Sequence, residues 1–345
     1  MYSFKNDYSE GAHPRILEAL AEASRVQNEA YGKDCHSMRA AEFIREKIAC
    51  KDADVHFLSG GTQTNLTAIS SFLRPHEAAV CADTGHINVH ETGSIEATGH
   101  KVLTAPCADG KLTPELVDSV LQIHTDEHMV KPKLVYISNS TEVGTIYSKS
   151  ELTSLSDYCK EKNLYLFLDG ARLGSALTAE GADLTLQDIA GATDAFYIGG
   201  TKNGALLGEA LIIVNQALKE DFRYSLKQKG AMLAKSMLLG IQFEALFQDD
   251  LYFKLAKHAN DAAKRLRDTI AEAGLKFLAF SPTNQLFPIL PNRLIESLHD
   301  AYDFEIWKKI SGEETAIRLV TSWATPDHVV DGFIRDFKGY LKNNL

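Results

Sequence analysis

Between residues 54 and 214, short apolar runs alternate with amphipathic helical stretches, and this alternation restricts the fold more than any other feature of the chain. The runs are apolar at nearly every position, which is typical of strands buried on both faces of a parallel sheet. Because helices separate them, the pattern predicts an α/β domain with a mainly parallel sheet. The predicted strands are Ala79–Ala82, Lys101–Ala105, Leu134–Ser138, Leu164–Leu168, Ala195–Ile198 and Ala210–Val214.

The second half of the chain has a different pattern, with long helical stretches followed by a mixed region. One hydrophobic core stops growing at roughly 250–300 residues, so a chain of this length favours two packed domains. We predict an N-terminal segment and large α/β domain over residues 1–240, and a smaller C-terminal α+β domain over residues 241–345. Helices are predicted over Gln216–Phe247 and Leu251–Ala273, and strands over Lys276–Phe280, Gln285–Leu290 and Ala316–Thr321.

Charge and hydropathy favour a small-molecule substrate over a nucleic acid or a membrane surface. The formal net charge is -10 at pH 7, and no segment gathers Lys and Arg into a basic stripe. No run approaches the roughly 20 apolar residues of a membrane span, and the first residues lack the apolar centre of a signal peptide. We therefore expect a cytoplasmic protein with neither a nucleic-acid nor a membrane partner.

The cysteines argue against a disulfide framework and against a zinc site. They are odd in number, and no two of them form a Cys-x-x-Cys pair. Reduced thiols and the absence of a bound metal are therefore expected. The five residues are Cys35, Cys50, Cys81, Cys107 and Cys159.

A carboxylate ends one predicted strand, in the sequence Leu168-Asp169-Gly170-Ala171-Arg172. Ligands of open parallel sheets bind beyond the carboxyl ends of the strands, where Asp169 is expected to lie. A buried carboxylate is costly without a cationic partner, and Arg172 follows three residues later. The pattern alone leaves two interpretations open, a ligand-binding Asp169 and a structural Asp169–Arg172 ion pair.

A lysine stands in the glycine-rich turn after the next strand, in the sequence Gly199-Gly200-Thr201-Lys202-Asn203-Gly204. The glycines allow a bulky ligand to approach the amine closely. Partial desolvation there would lower the pKa of Lys202 towards the range of a nucleophile. An ordinary surface lysine in a loop is the alternative interpretation.

Two earlier strands are followed by further candidate binding groups. The sequence Gly60-Gly61-Thr62-Gln63-Thr64 precedes a helical pattern, and backbone N–H groups at a helix N-terminus favour a phosphate. His86 follows the strand that ends at Ala82, where its flat ring could stack on a planar cofactor. Each feature is weak alone, because helix capping and ordinary loop hydrogen bonding produce the same patterns.

Together, these features occur in an order and spacing that resemble the fold-type I pyridoxal-phosphate (PLP) enzymes. Within that group, the residues in these motifs are similar to those of the threonine aldolases of the β-eliminating lyase family. The resemblance extends over nearly the whole chain, from about Asn6 to the final helix. The matching segments are Tyr31-Gly32-Lys33-Asp34, Gly61-Thr62-Gln63-Thr64-Asn65, Asp169-Gly170-Ala171-Arg172, Thr201-Lys202 and Ile317-Arg318-Leu319-Val320-Thr321.

The resemblance implies a role for each matched residue. Lys202 would carry PLP as a Schiff base, Asp169 would pair with the ring nitrogen, and His86 would stack on the ring. Gly61, Thr62 and Gln63 would hold the phosphate. Arg172 would lie near both the phenolic oxygen of the cofactor and the carboxylate of the substrate.

Other matched residues are implied to contact the substrate or the partner subunit. Arg318 would clamp the substrate carboxylate, because its planar fork suits bidentate binding. Asn6 would contact the same group, Tyr31 would cross to a neighbouring subunit, and His128 would lie near the substrate hydroxyl. The family assembles as dimers or dimers of dimers, so a homo-oligomer with shared sites is implied, a homotetramer included.

The sequence departs from the family pattern in three places. Asn6 stands where a serine is usual, and Ser138-Asn139-Ser140-Thr141-Glu142 lacks the histidine usual in that segment. An arginine that reaches phosphate across the dimer has no clear match, although Lys229 or Lys235 could replace it. The preference for the β-substituent therefore stays open.

The expected activity is PLP-dependent aldol cleavage of a β-hydroxy-α-amino acid, with low specificity. L-Threonine or L-allo-threonine would give glycine and acetaldehyde. The general base would be His86, His128 or a water between them, and a positioned base is worth roughly 10²–10⁴ in rate. The alternatives are a PLP-dependent β-eliminating lyase for another amino acid, and a catalytically idle PLP-fold subunit.

Overall fold

The computed structural model describes residues 1–344 of the chain, and side chains through residue 342. The strands are β1 (Tyr2–Ser3), β2 (Asp54–Leu58), β3 (Glu77–Ala82), β4 (Val102–Ala105), β5 (Lys131–Ser138), β6 (Tyr165–Asp169), β7 (Ala195–Gly199), β8 (Glu209–Ile213), β9 (Gln285–Leu286), β10 (Ile289–Pro291), β11 (Tyr302–Asp303), β12 (Glu305–Lys309) and β13 (Glu314–Val320).

Helices connect these strands and cover both faces of the main sheet. Within the described residues, no helix is both long enough and apolar enough to cross a membrane. The α-helices are α1 (Pro14–Ala23), α2 (Cys35–Lys47), α3 (Gly61–Phe72), α4 (His86–Val89), α5 (Pro114–Leu121), α6 (Lys149–Glu161), α7 (Leu173–Leu177), α8 (Leu186–Ala192), α9 (Phe222–Gln228), α10 (Met237–Phe247), α11 (Leu251–Glu272), α12 (Asn292–His299) and α13 (Asp327–Asn344).

The larger of the two main sheets is mainly parallel. Within residues 1–344 it has seven strands in the order β2-β8-β7-β6-β5-β3-β4, and only β8 runs against the others. Strands β3, β7 and β8 are buried at every position, as expected for strands covered on both faces. All six predicted strands are confirmed, with ends that shift by at most a few residues.

The second sheet is small and antiparallel, with β13 at its centre. It pairs with β10 and β12, and at its end with β9. Helices α11, α12 and α13 cover it around a separate apolar core that contains Leu290, Ile317 and Phe333. Phe4 lies in the same core, and β1 pairs with β11, so the N-terminal segment packs on the C-terminal region.

Three predictions in the second half are wrong in detail. The helical pattern over Gln216–Phe247 is broken into α9 and α10, with the segment 229–236 between them. Lys276–Phe280 forms a single bridge, from Phe277 to Pro288, and no strand. Gln285–Leu290 is split into β9 and β10, because a proline lacks the N–H that a continuous ladder needs.

The domain boundary between residues 240 and 241 stays a prediction. Helix α10 runs across that point, and its Phe243 and Leu246 lie in the apolar core of the large sheet. The first part of α11 belongs to the same core, through Leu255, whereas Leu266 and Ile270 belong to the core of the small sheet. A single long helix therefore joins the two packed regions.

Candidate active site

The carboxyl ends of β5, β6 and β7 meet at one edge of the large sheet. Ser138, at the end of β5, pairs in register with Asp169 at the end of β6. Lys202 follows three residues after the end of β7. Parallel strands therefore bring the predicted Asp169 and Lys202 together, as the open-sheet geometry requires.

Two glycines allow the loops after β6 and β7 to approach each other closely. A Cβ atom on Gly170 would overlap the carbonyl oxygen of Tyr197, and one on Gly199 would overlap the backbone of Ala171. The Gly199 N–H donates to the Gly170 carbonyl at 2.9 Å. Both positions therefore require glycine, because the backbones occupy the space that a side chain would need.

The amine of Lys202 is desolvated and has no polar partner among the described residues. Neither a hydrogen bond nor an ion pair to its Nζ occurs within residues 1–344, although the side chain is half-buried. Its charged neighbours are Arg172, Asp7, Asp169 and Glu209, and burial followed by the Arg172 charge lowers its pKa. An unpaired amine with a lowered pKa is suited to attack a carbonyl group.

Asp169 is a buried carboxylate that is fully engaged in hydrogen bonds. Its Oδ2 accepts from Tyr136 Oη at 2.5 Å and Asn65 Nδ2 at 3.1 Å. Its Oδ1 accepts from Tyr197 Oη at 2.5 Å and the Ala171 N–H at 2.9 Å. Burial opposes ionisation, but the nearby His86 and these hydrogen bonds outweigh it and lower the pKa of Asp169.

Asn65, Tyr136 and Tyr197 are site residues to which the sequence reasoning gave no role. A usable signal exists for the two tyrosines, since each lies two residues before the end of its strand. Side chains two residues apart share one face of a strand, so each tyrosine points to the same face as its strand end.

His86 begins α4 and is held by two carboxylates. Its Nδ1 lies 2.8 Å from Oε1 of Glu91, a residue whose side chain is fully buried. Its backbone N–H donates to Oε1 of Glu142 at 3.0 Å, and the same oxygen accepts from Ser138 Oγ at 2.7 Å. Burial lowers the pKa of His86, whereas Glu91 and Asp169 raise it more, so the net shift is upward.

The predicted phosphate seat lies at the N-terminus of the twelve-residue helix α3. Gly60 caps this helix without a side-chain hydrogen bond, and Thr62 is exposed beside it. The Gln63 side-chain oxygen is already engaged, because it accepts from Ser59 Oγ at 2.7 Å. A Cβ on Gly61 would lie 3.1 Å from Tyr197 Oη, so this helix end packs directly against the Asp169 network.

Arg172 pairs with Asp7 and not with Asp169, so the interpretation as an Asp169–Arg172 ion pair is wrong. Its Nε and one terminal nitrogen lie 2.7 and 2.9 Å from the two oxygens of Asp7. Asp7 is 1% exposed and also accepts from Asn284 Nδ2 at 2.9 Å. Burial raises the pKa of Asp7, but the Arg172 charge and the hydrogen bonds to Asp7 outweigh burial and lower this pKa overall. The pair therefore stays ionised.

The two predicted carboxylate contacts, Arg318 and Asn6, lie beside the same N-terminal segment. Arg318 donates to the Lys5 carbonyl at 3.2 Å and pairs with Glu305 at 2.6 Å. Its Nε is buried without a partner in the described part of the chain. The Asn6 side-chain oxygen accepts from the Tyr8 N–H at 3.0 Å, so its amide nitrogen remains for a ligand.

The prediction that His128 lies near the substrate hydroxyl is wrong for the site of its own chain. His128 is exposed in the loop before β5, which starts at Lys131 and ends at Ser138. A strand rises about 3.3 Å per residue, so His128 lies roughly 25 Å from the edge that carries Asp169. Sequence order located the right strand but the wrong end of it.

Tyr31 lies beside a separate cavity of about 1010 Å³, here called the Tyr31 cavity. Tyr31 is 41% exposed, and the Lys227 amine lies 4.6 Å from the centre of its ring. Helix α2, strand β2 and the segment 223–236 form its walls. Its lining includes Arg45, Val55, Phe57, Arg223, Leu226 and Met232.

Glu209 is a further buried carboxylate for which the sequence gave no role. Its oxygens accept from Thr201 Oγ1 at 2.9 Å and from the Gly200 N–H at 3.1 Å. These contacts hold the turn that carries Lys202. Burial raises the pKa of Glu209 to about 8.

Comparison with known proteins is consistent with this geometry. Residues 6–291 match the model of the β-eliminating lyase family. A low-specificity L-threonine aldolase of Pseudomonas aeruginosa is 33% identical over 97% of this chain and 96% of its own length.

Two solved structures have the same fold. A threonine aldolase of Leishmania major is 52% identical and superposes with a TM-score of 0.98 over 99% of this chain and 100% of that one. SPT with a PLP internal aldimine is 13% identical, with a TM-score of 0.72 over 99% of this chain and 87% of that one. The chain therefore belongs to the β-eliminating lyase family, with the threonine aldolases, and has the fold of the type I PLP enzymes.

Proposed function

We propose that this protein is a PLP-dependent threonine aldolase that cleaves L-threonine or L-allo-threonine to glycine and acetaldehyde. One observation carries the proposal: the Lys202 amine is unpaired and desolvated, within electrostatic range of the buried Asp169 carboxylate. An idle protein has no physical need for this cluster, because unpaired buried charges cost stability.

The side chains fit PLP in their chemistry and order. At the N-terminus of α3, where no side chain caps the helix, free backbone N–H groups are available to a phosphate. The Thr62 side chain is exposed beside them. Since the Gln63 side-chain oxygen is held by Ser59, Gln63 would contribute through its backbone N–H. Lys202 would bond to the aldehyde carbon, and Asp169 would hold the ring nitrogen.

PLP, when bound, supplies the electron sink for bond cleavage at Cα. Asp169 would keep a proton on the ring nitrogen, because its lowered pKa maintains a carboxylate there. A new contact to Asp169 must share an oxygen with Tyr136, Tyr197 or Asn65, since both oxygens already accept two hydrogen bonds.

The substrate carboxylate is assigned to Arg318 and Asn6. The partnerless Nε of Arg318 and the Asn6 amide nitrogen supply two donors from neighbouring segments. Holding the carboxylate decides which bond to Cα stands perpendicular to the cofactor ring, and therefore which bond breaks. Arg172 is assigned to the cofactor's phenolic oxygen, with Asp7 fixing its guanidinium.

A homodimer, or a dimer of dimers, with shared sites completes the proposal. The Tyr31 cavity is large, open and partly apolar, as expected of a surface that a second copy covers. Lys229 and Lys235 lie in the adjoining segment and are the candidates for a phosphate contact across the dimer. A cytoplasmic location belongs to the same proposal.

Purified protein loaded with PLP would be incubated with each threonine diastereomer, followed by aldehyde and glycine assays. We expect both products, and we expect borohydride reduction to fix the cofactor on the peptide that contains Lys202. Ammonia and a keto acid in place of aldehyde would indicate the β-eliminating lyase. No product, with no cofactor fixed, would indicate an idle subunit.

A further inference from the structure

A second histidine, His90, lies at the mouth of the site and was not identified from the sequence. Its ring centre is 5.4 Å from that of His86, and its backbone N–H donates to the His86 carbonyl at 2.9 Å. Charges of Lys202, from the large sheet, and of Arg318 and Glu305, from the small sheet, reach it. His90 therefore lies where the two sheets face each other across the site.

The two histidines differ in how their nitrogens are engaged. Nδ1 of His86 is bound to the fully buried Glu91. The ring nitrogens of His90 have no hydrogen-bond partner among residues 1–344, and the residue is exposed. His90 can therefore exchange a proton with a ligand and with water, whereas one nitrogen of His86 is already committed.

The pKa values of the two histidines are shifted in opposite directions, which also favours His90 as the group that accepts a proton. Burial, then His86, Arg318 and Lys202, lower the pKa of His90, and only Glu305 opposes them. The pKa of His86 is raised by Glu91 and Asp169 against its burial. Neighbouring titratable groups with opposite shifts divide into an acid and a base, and the group with the lowered pKa is the neutral one at pH 7.

We propose that His90 is the general base that accepts the hydrogen of the substrate β-hydroxyl. This step rests on the proposed aldolase function. As the Cα–Cβ bond breaks, its electron pair remains on Cα, and the O–H pair becomes the second bond of the aldehyde carbonyl. The proton passes to a His90 nitrogen and then to water, and Cα takes a proton, so the sum is threonine to glycine and aldehyde.

The other polar groups near His86 are less suited to this step. Glu142 Oε1 accepts hydrogen bonds from both the His86 backbone and Ser138, so Glu142 holds the start of α4. His128 lies at the opposite edge of the sheet. His90 is thus the histidine beside His86 whose ring nitrogens are left to act as a base.

The test uses H90Q and H90F, with H76Q as the matched control at an exposed histidine before the amino end of β3. Both His90 variants should lower kcat for threonine by roughly 10²-fold or more and lose the acid limb of the pH profile. They should keep KM within threefold and exchange the Cα hydrogen of glycine with deuterium at the wild-type rate. That exchange involves no β-hydroxyl, so it separates loss of the base from general damage to the site.

A second measurement needs neither cofactor nor turnover. Histidine side chains of the PLP-free protein would be titrated by NMR, with H90Q used to assign His90. We expect His90 to titrate below the ordinary histidine pKa of about 6.5, and His86 above it. The reverse order would overturn the assignment of the base.

The outcomes distinguish the two proposals. If the wild type releases aldehyde and H90Q has the same kcat and pH profile, His90 is not the base and the aldolase function stands. If H90Q loses glycine exchange in parallel with cleavage, His90 has only a structural role. If the wild type releases no aldehyde from any β-hydroxy amino acid, both proposals fail.

Discussion

The Lys202 site and the Tyr31 cavity are built in opposite ways. The Lys202 site draws charged groups from several strand ends into a small buried space, and each carboxylate there is held by donors. The Tyr31 cavity is about 1010 Å³ in volume, opens to the surface, and is lined by apolar side chains together with both basic and acidic ones. The first region is held by hydrogen bonds to its buried carboxylates, whereas the second is an open cavity that the proposed second copy would cover.

The largest effect that we expect concerns the Lys202 amine. The variant K202A should retain the fold but lower aldehyde release by roughly 10³-fold or more, because the nucleophile for the cofactor is lost. Circular dichroism and cofactor absorbance would separate folding from attachment. K160A, at an exposed lysine on α6, is the contrast and should leave Lys202 fixed to the cofactor by borohydride.

The second prediction concerns the buried Asp7–Arg172 pair. D7N should lower the free energy of unfolding by about 3–5 kcal/mol, because the Arg172 guanidinium would be left buried without a counter-charge. D249N, which breaks the exposed Arg15–Asp249 pair, is the control and should cost about 0–1 kcal/mol. Urea titration measures both, and equal losses would mean that burial does not distinguish the two pairs.

The same pair predicts a pH dependence. Since the folded-state pKa of Asp7 is lowered, its contribution is present above the ordinary Asp pKa and is lost as the pH falls through the depressed value. The difference between wild type and D7N should therefore shrink in acid, below about pH 4. A constant difference across that range would contradict the ion-pair explanation.

The third prediction concerns the Tyr31 cavity. M232E places a charge on its half-buried wall and should shift the protein towards monomers, with roughly tenfold lower activity in dilute solution if sites are shared. I123E, at a 65% exposed apolar residue beyond the amino end of β5, is the matched control and should change neither. Sedimentation velocity gives the mass, and an unchanged mass for M232E would exclude this cavity from the interface.

The smallest effect concerns Glu209. Because its folded pKa is raised to about 8, its contribution is complete below the ordinary Glu pKa and is lost as the pH rises through about 8. E209Q cannot ionise, so its melting temperature should fall less between pH 6 and pH 9.5 than that of the wild type, by a few degrees. E220Q, at an exposed position, should behave as the wild type. If E209Q and the wild type show the same dependence of melting temperature on pH, Glu209 does not change its protonation in this range.

Sequence reasoning succeeded best where the signal was local and repeated. All six predicted strands of the large sheet are confirmed, because strands buried on both faces are apolar at every position. It failed over Lys276–Phe280, where a short apolar run has no neighbouring strand to pair with beyond one bridge. Pairing between distant segments decides such strands, and composition carries little trace of it.

The sequence by itself determined the parallel sheet, the family motifs and the order in which Asp169 and Lys202 follow their strands. Only the tertiary structure decided that Arg172 pairs with Asp7, that two tyrosines bind Asp169, and that His128 lies at the wrong end of β5. It also brought His90 to the mouth of the site. The reason is physical: motifs report local backbone and residue type, whereas a partner is chosen by which segments the folded chain places within a few ångströms.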